Sequence, residues 1–301
     1  MPKALKLLIL LGLIWGSGYS IARFAVLHGV TPLGYAFCQS LGPALFLLAL
    51  CLKRKAPLPF QPKILIYFLV TGLLGVALPN TTMYITAAHL PAGLLAVVVN
   101  TVPLMMYPLA RLFKLERFYW SRLFAVLLGF AGLMLMTLPG AHGVLGYHTA
   151  WIFIALISPL CFALCALFAA HFRPEKPSSL VLSMGMLMSS AILISPVLLT
   201  SQHFFEPHVA HGAGILAVII EIILSSIGYI LFFDVLDNAG PVFYSFVACV
   251  VSITGLIWGF IFFDETLNTI STTAVVLILI ALYLVTRKIN AYRANPRHDE
   301  D

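Results

Sequence analysis

Residues 64–110 read ILIYFLVTGLLGVALPNTTMYITAAHLPAGLLAVVVNTVPLMMYPLA, without one Asp, Glu, Lys or Arg. A helix crosses the hydrocarbon core of a bilayer with about 20 apolar residues. This block is too long for one crossing and must turn inside itself. His89-Leu90-Pro91 is the expected turn, because a proline is well suited to the first position of a helix, where its missing N–H has no partner anyway. Similar charge-free blocks fill 24–52, 123–172, 177–205, 238–263 and 267–286. They are unbroken, not alternating, so a membrane β-barrel is excluded. Of 301 residues, 61% are hydrophobic and 9% charged, whereas a soluble domain is about a quarter charged. The mean hydropathy of +1.03 agrees. Composition thus excludes a disordered chain, a disulfide-stapled secreted module and an ordinary soluble enzyme. The expected fold class is an all-α polytopic membrane protein.

Dividing the blocks at their breakers predicts ten transmembrane helices. They span 4–27, 33–52, 64–88, 91–113, 119–138, 149–171, 179–200, 213–236, 241–263 and 269–287. The second long block turns at Pro139-Gly140-Ala141-His142-Gly143, a cluster of helix breakers. Lys3 and Lys6 precede the first block as they would in a signal peptide, but no small-x-small cleavage site follows, so it is read as a retained span. Lys and Arg remain on the cytoplasmic side during insertion. With both termini cytoplasmic, every basic residue except Arg23 falls inside. The pI of about 9.1 therefore belongs to the inner loops and implies contact with anionic lipid headgroups.

The two halves resemble each other at an offset of 149 or 150. Ala125-Val126-Leu127-Leu128 is matched by Ala274-Val275-Val276-Leu277, and Pro91 by Pro241. Phe113-Lys114-Leu115-Glu116-Arg117 is matched by Phe262-Phe263-Asp264-Glu265-Thr266. Five helices is an odd number, so the second half must be inserted upside down. The expected organisation is two inverted five-helix repeats: residues 1–138, an outer linker at 139–148, residues 149–287, and a cytoplasmic tail at 288–301. Inverted repeats are the architecture of secondary transporters, which rock about a midplane site.

The chain resembles the EamA-type branch of the drug/metabolite transporter superfamily. Trp15-Gly16-Ser17-Gly18-Tyr19-Ser20-Ile21-Ala22-Arg23 is similar to its Trp-Gly opening with a basic residue eight positions on. Pro91-Ala92-Gly93, Pro103, Leu115-Glu116-Arg117 and the Gly129/Gly132 helix resemble its first-repeat signature, and Asp264-Glu265-Thr266-Leu267 the second copy. The resemblance implies a ten-helix inverted-repeat fold, with a central cavity lined mainly by the first, third, fourth, sixth, eighth and ninth helices. It also implies transport of small metabolites, often export of amino acids or related compounds, from the inner membrane of a bacterium.

Ionisable groups within membrane spans are costly and mark functional sites by default. Glu221 is the acidic residue deepest in a span. It is the proton-coupling candidate, or a counter-charge for a substrate ammonium; a hydrogen bond to a neighbouring helix is the structural alternative. Helical spacing places Ser225, Gly228, Tyr229 and Phe232 on its side. Trp15, Tyr19 and Arg23 share a face of the first span. Arg23 is expected to snorkel to the outer headgroups, with bidentate binding of a substrate carboxylate as the alternative. Asn80, Tyr84, Asn100 and Tyr244 complete the expected substrate-binding set of Trp15, Tyr19, Asn80, Tyr84, Asn100, Glu221, Ser225, Tyr229 and Tyr244. Gln39 lies outside the family's cavity helices and is not included. Pro79 beside Asn80, and Pro103 after Asn100, mark expected breaks in helices, since each removes a main-chain hydrogen bond. Trp151 and Tyr147 read as interfacial anchors. Gly-Leu-Ile-Trp-Gly occurs at 12–16 and 255–259 and reads as two close-packing faces.

The leading expectation is a secondary transporter of a small polar or amphiphilic metabolite, with export of an amino acid or related compound by alternating access, driven by protons through Glu221. Efflux of cationic drugs and uptake of a metabolite are the alternatives within transport, and a channel or scaffold stands outside it. A membrane-embedded transferase is the distant alternative: Asp234-x-x-Asp237-Asn238 is the nearest acidic cluster, and it stands alone. No phosphate-binding loop, nucleophile elbow or zinc spacing is present, and His203, His208 and His211 match no metal motif. Cys38, Cys51, Cys161, Cys165 and Cys249 read as packing residues in apolar helices. No catalytic residue, cofactor or metal is expected. The expected partners are a small-molecule substrate and membrane lipids, with a homodimer left open and nucleic acid not expected.

Overall fold

In the computed structural model the described residues are 2–112, 119–136, 150–174, 177–201, 212–244, 247–265 and 268–294. The regular elements among them are helices, with no β-strand. They are α1 (Pro2–Leu27), α2 (Pro32–Lys53), α3 (Pro62–Gly72), α4 (Leu78–Ala87), α5 (Ala92–Val99), α6 (Val102–Leu112), α7 (Trp120–Met136), α8 (Ala150–Ala155), α9 (Ile157–Phe172), α10 (Ser179–Ser201), α11 (Gly212–Tyr244), α12 (Val247–Phe263) and α13 (Thr269–Ala294). Seven stretches are long and apolar enough to cross a membrane: Leu5–Leu27, Pro32–Lys53, Pro62–Ala87, Ala92–Leu109, Ala150–Ala169, Ser179–Thr200 and Gly212–Val235. Three shorter apolar stretches, Leu123–Gly132, Val247–Phe263 and Thr272–Ala281, lie within the remaining long helices. The expected turn at 139–143 and the linker 139–148 fall outside the described residues, as do Leu115-Glu116-Arg117, Tyr147, Thr266-Leu267 and the loop histidines at 203, 208 and 211.

Helix ends follow local chemistry. α1 stops at Gly29, whose φ of 89° is open to a residue without Cβ, and Val30 N–H donates back to the Ala25 carbonyl at 3.1 Å. Two residues on, the Thr31 hydroxyl accepts from Gly34 N–H at 3.1 Å and Pro32 occupies the first turn of α2, a start with one amide satisfied and one absent. Pro91 immediately precedes α5, as expected. One boundary differs. Pro241 was expected to open a helix, but α11 runs through it to Tyr244. A proline's fixed φ suits the helix, so it costs one main-chain hydrogen bond rather than the helical path.

The helices break where prolines meet polar side chains. A single π-helical turn, Leu73–Ala77, joins α3 to α4 just before Pro79; such turns carry one extra residue and redirect the side chains beyond them. The chain breaks again at Asn100-Thr101, between α5 and α6, and at Leu156, between α8 and α9.

Packing places α2 against α10, α7 against α13, and α1 between α11 and α12, with α5 on α12. Two serines 150 residues apart, Ser40 on α2 and Ser190 on α10, share a buried hydrogen bond of 2.8 Å. The glycine pairs are close-packing faces, as expected. A Cβ on Gly16 would lie 2.5 Å from Thr254 Cβ, and one on Gly132 would lie 2.9 Å from the Ala274 carbonyl, so backbones approach to a distance that side chains would forbid. All eight residues of α5 are buried. The apolar residues left exposed, such as Leu45, Phe46, Ile192 and Leu199, suit an acyl environment.

Candidate functional site

α11 carries the question of which way Glu221 faces. Its neighbours Ile220 and Ile223 are 44% and 53% exposed, whereas Glu221 is 5% exposed. The carboxyl therefore points into the helix assembly and the isoleucines point out. Among the described residues it is the one charged side chain that is buried outright. Ser225, one turn along, donates to Glu221 Oε1 at 3.2 Å. The same hydroxyl lies 3.2 Å from Gln39 Oε1, and Gln39 Nε2 donates to the Val218 carbonyl at 3.1 Å. Gly18 of α1 faces the carboxylate: a Cβ there would stand 2.9 Å from Oε1. Glu221 Oε2 is buried and has no hydrogen-bond partner, and neither has the Tyr35 hydroxyl. Buried polar atoms in folded proteins nearly always find a partner, so these two unpartnered atoms mark a candidate site.

Tyr35 stacks edge-on against Tyr84, with ring centroids 4.6 Å apart. Asn80, just past the π-helical turn, donates to the Tyr229 hydroxyl at 3.4 Å. Asn100 sits at the α5–α6 break; its amide donates to the Tyr19 hydroxyl at 2.9 Å and to the Ala96 carbonyl at 2.7 Å. Both expected proline breaks therefore place an asparagine where it bonds a tyrosine of another helix.

Trp15 is the hub of an aromatic cluster. Its ring lies 5.9 Å from Tyr229, 5.8 Å from Phe232 and 6.3 Å from Tyr244, and Phe232 meets Tyr244 at 5.0 Å. Edge-on contacts, which all of these are except the tilted Trp15–Phe232 pair, add about 0.5–1.5 kcal/mol per pair beyond burial. Gly228 allows the approach, since a Cβ there would be 2.6 Å from Trp15 Nε1. The nine residues singled out from the sequence fall into four contact groups: Trp15, Tyr229 and Tyr244 with Asn80; Tyr19 with Asn100; Glu221 with Ser225; and Tyr84 against Tyr35.

Sequence reasoning set Gln39 aside and missed Tyr35. They lie four apart on α2, a polar pair on one helix face that could have been read from spacing alone. It also misread Arg23. Instead of snorkelling to headgroups, Arg23 turns inward: Nη1 donates to the Leu90 carbonyl and lies 3.3 Å from Glu265 Oε1, while the guanidinium sits 5.2 Å from the Phe263 ring centroid. A carboxylate and a ring supply what water would have supplied outside. Ser158 donates to the Pro79 carbonyl at 2.8 Å. Trp151 stacks on His89 with centroids 3.8 Å apart. Asp234 is half-buried on α11; the side chains of Asp237 and Asn238 lie outside the described set.

Residues 2–138 and 149–287 each match the EamA-like transporter family. Among curated relatives, an uncharacterized transporter of Bacillus subtilis, YvbV, is 25% identical over 98% of this chain and 95% of its own. An uncharacterized inner membrane transporter of Escherichia coli K12, YedA, is 28% identical over 96% of this chain and 92% of its own. An uncharacterized transporter of Archaeoglobus fulgidus is 20% identical over 91% and 95%. One protein crystal structure superposes with a TM-score of 0.66 at 17% identity, covering 98% of this chain and 99% of that one; it shares the fold.

Proposed function

The chain belongs to the EamA-like transporter family, and from that premise we propose that it is a proton-coupled secondary transporter that exports a small polar or amphiphilic metabolite, an amino acid or related compound, by alternating access. Membrane transport follows from the family. The proposed frame is ten spans in two inverted five-helix units, residues 1–138 and 149–287, with both termini cytoplasmic and the protein in the inner membrane. The Ser40–Ser190 contact supports it, because residues at the repeat offset meet where a two-fold axis would pass. YedA, named as an inner membrane transporter, supports the location.

The observation that carries the proposal is the Glu221 carboxyl, buried with one oxygen unpartnered. A carboxyl in that setting can exchange a proton for a substrate ammonium, because one oxygen cannot hold both. The aromatic cluster around Trp15 supplies an apolar wall for the rest of the molecule. A second reading, efflux of cationic compounds, is favoured by the state of Arg23: Glu265 already neutralises it, so the region offers a carboxylate with no adjacent free guanidinium for a substrate carboxylate. Purified protein in liposomes, given a panel of labelled amino acids and labelled organic cations at two pH values, tests both. Wild type is expected to move at least one zwitterion, and Glu221→Gln to move none. Transport of cations alone would select the second reading. No proton dependence, with full activity in Glu221→Gln, would end both.

A further inference from the structure

Glu265 is occupied on both oxygens. Oε1 accepts from Ala92 N–H at 2.7 Å and Oε2 from Gly93 N–H at 2.9 Å. These are two of the unpaired amides at the start of α5, where a negative charge is favoured by the helix dipole. The same carboxylate pairs with Arg23 of α1, and Arg23 also donates to Leu90, the residue before Pro91. The side chains are 20% and 10% exposed, so screening by salt is weak. Asp264 adopts a left-handed φ of 50°, which short polar side chains tolerate. Glu265 N–H then donates to the Gly259 carbonyl at 3.3 Å. Gly259 and Gly93 provide the clearance: a Cβ on Gly259 would collide with Glu265 Oε2 and stand 2.9 Å from Gly93 N. Three elements, the ends of α1 and α12 and the start of α5, are thus fastened at one point, on the face opposite the N-terminus.

We propose that Arg23, Glu265 and the first amides of α5 form an outer latch, which holds α1 to α5 and α12 in this state and must part for the Glu221–Tyr19 region to open outward. The inference rests on the alternating-access reading above. Two features indicate an element with a second arrangement. Arg23 Nε and, one turn inward on the same helix, the Ser20 hydroxyl are buried without hydrogen-bond partners, and both would gain water when the latch parts. The second fastening between α1 and α5, Tyr19 to Asn100, lies at the far end of this eight-residue helix. α5 is therefore held by α1 at both its ends, and releasing the outer end leaves it pivoting on the inner one.

The test uses the full chain in right-side-out vesicles, with Cys38, Cys51, Cys161, Cys165 and Cys249 replaced and Ser20→Cys as the reporter. A membrane-impermeant methanethiosulfonate is added outside. Glu265→Gln puts an amide N–H against the α5 amides and removes the charge from Arg23, so labelling is expected to accelerate at least about tenfold. Arg23→Lys keeps the cation on a shorter side chain that does not extend to the position of Nη1, the one atom that meets both Leu90 and Glu265, so it is expected to lie between. Charge exchange, Arg23→Glu with Glu265→Arg, is expected not to restore slow labelling, because an arginine cannot accept from the α5 amides. Restoration by the exchange would mean a simple ion pair and overturn the latch as described. Should Glu265→Gln fail to fold, Arg23→Lys carries the test alone. Wild-type labelling rates in every folded variant would overturn it. The labelling needs no substrate, so its failure is distinguishable from failure of transport through Glu221.

Discussion

Replacing Gly18 by Ala places a methyl group 2.9 Å from Glu221 Oε1. Ordinary contact begins near 3.4 Å, so the carboxyl must withdraw by about half an ångström or turn aside. Overpacking of this kind costs about 1–3 kcal/mol, and turning aside also gives up the 3.2 Å bond from Ser225, about 1 kcal/mol. If that strain falls on the substrate-loaded state, transport efficiency drops by about fivefold to 100-fold, each factor of ten being about 1.4 kcal/mol. Glu221→Asp alone withdraws the carboxyl by one methylene and should also impair transport. Combined with Gly18→Ala it should recover activity, since the shorter acid leaves room for the methyl. The assay is initial uptake of labelled substrate into proteoliposomes for all four proteins, with elution profile and melting temperature as folding controls. A coupling energy of at least about 1 kcal/mol is expected. Wild-type rates in Gly18→Ala, or losses that simply multiply in the double variant, would refute the placement of the carboxyl against α1.

Trp15→Ala removes three aromatic contacts and should lower stability in detergent by about 2 kcal/mol, below the range for fully buried aromatics because Trp15 is half-buried; Trp15→Phe should keep more than half, as read by thermal unfolding. Ser40→Ala and Ser190→Ala should each cost about 0.5–1 kcal/mol, and the double variant less than their sum, because neither hydroxyl is then left facing a methyl; a double-mutant cycle measures it. Gly255→Val drives a side chain into Ala96 and should prevent accumulation of folded protein, whereas Gly212→Val, with nothing within 4 Å, should be silent by the same expression assay.

The all-helical class and the seven stretches of crossing length were legible because charge-free length is a one-dimensional property, fixed by bilayer thickness and little affected by what packs where. Glu221 was legible for a related reason: an isolated carboxyl among isoleucines needs an interior partner. The aromatic and amide set at Trp15, Asn80, Asn100 and Tyr229 followed from helical spacing plus the polar–proline pairs, and the structure joins Trp15 and Asn80 to Tyr229 and Asn100 to Tyr19. What spacing could not reveal are partners chosen by the tertiary arrangement. Arg23 and Glu265 are far apart in sequence, and nothing local to either distinguishes a pair from two surface charges. The orphaned amides of α5 that hold Glu265 exist only once Pro91 starts that helix against α12. Gln39 was set aside by analogy with a family cavity and Tyr35 was not considered, although their four-residue spacing carried the information. Pro241 was taken as a boundary because a proline permits a helix start; it does not compel one.

The inverted arrangement is open to direct measurement by sided labelling of single cysteines at Leu112 and Asp264 in a cysteine-free background. These two positions, at the ends of the corresponding helices α6 and α12, should react with an impermeant maleimide from opposite faces of the membrane: position 264 from outside, position 112 only after permeabilisation. Modification of both from the same face of intact vesicles would contradict two halves inserted in opposite senses, and with it the shared midplane route.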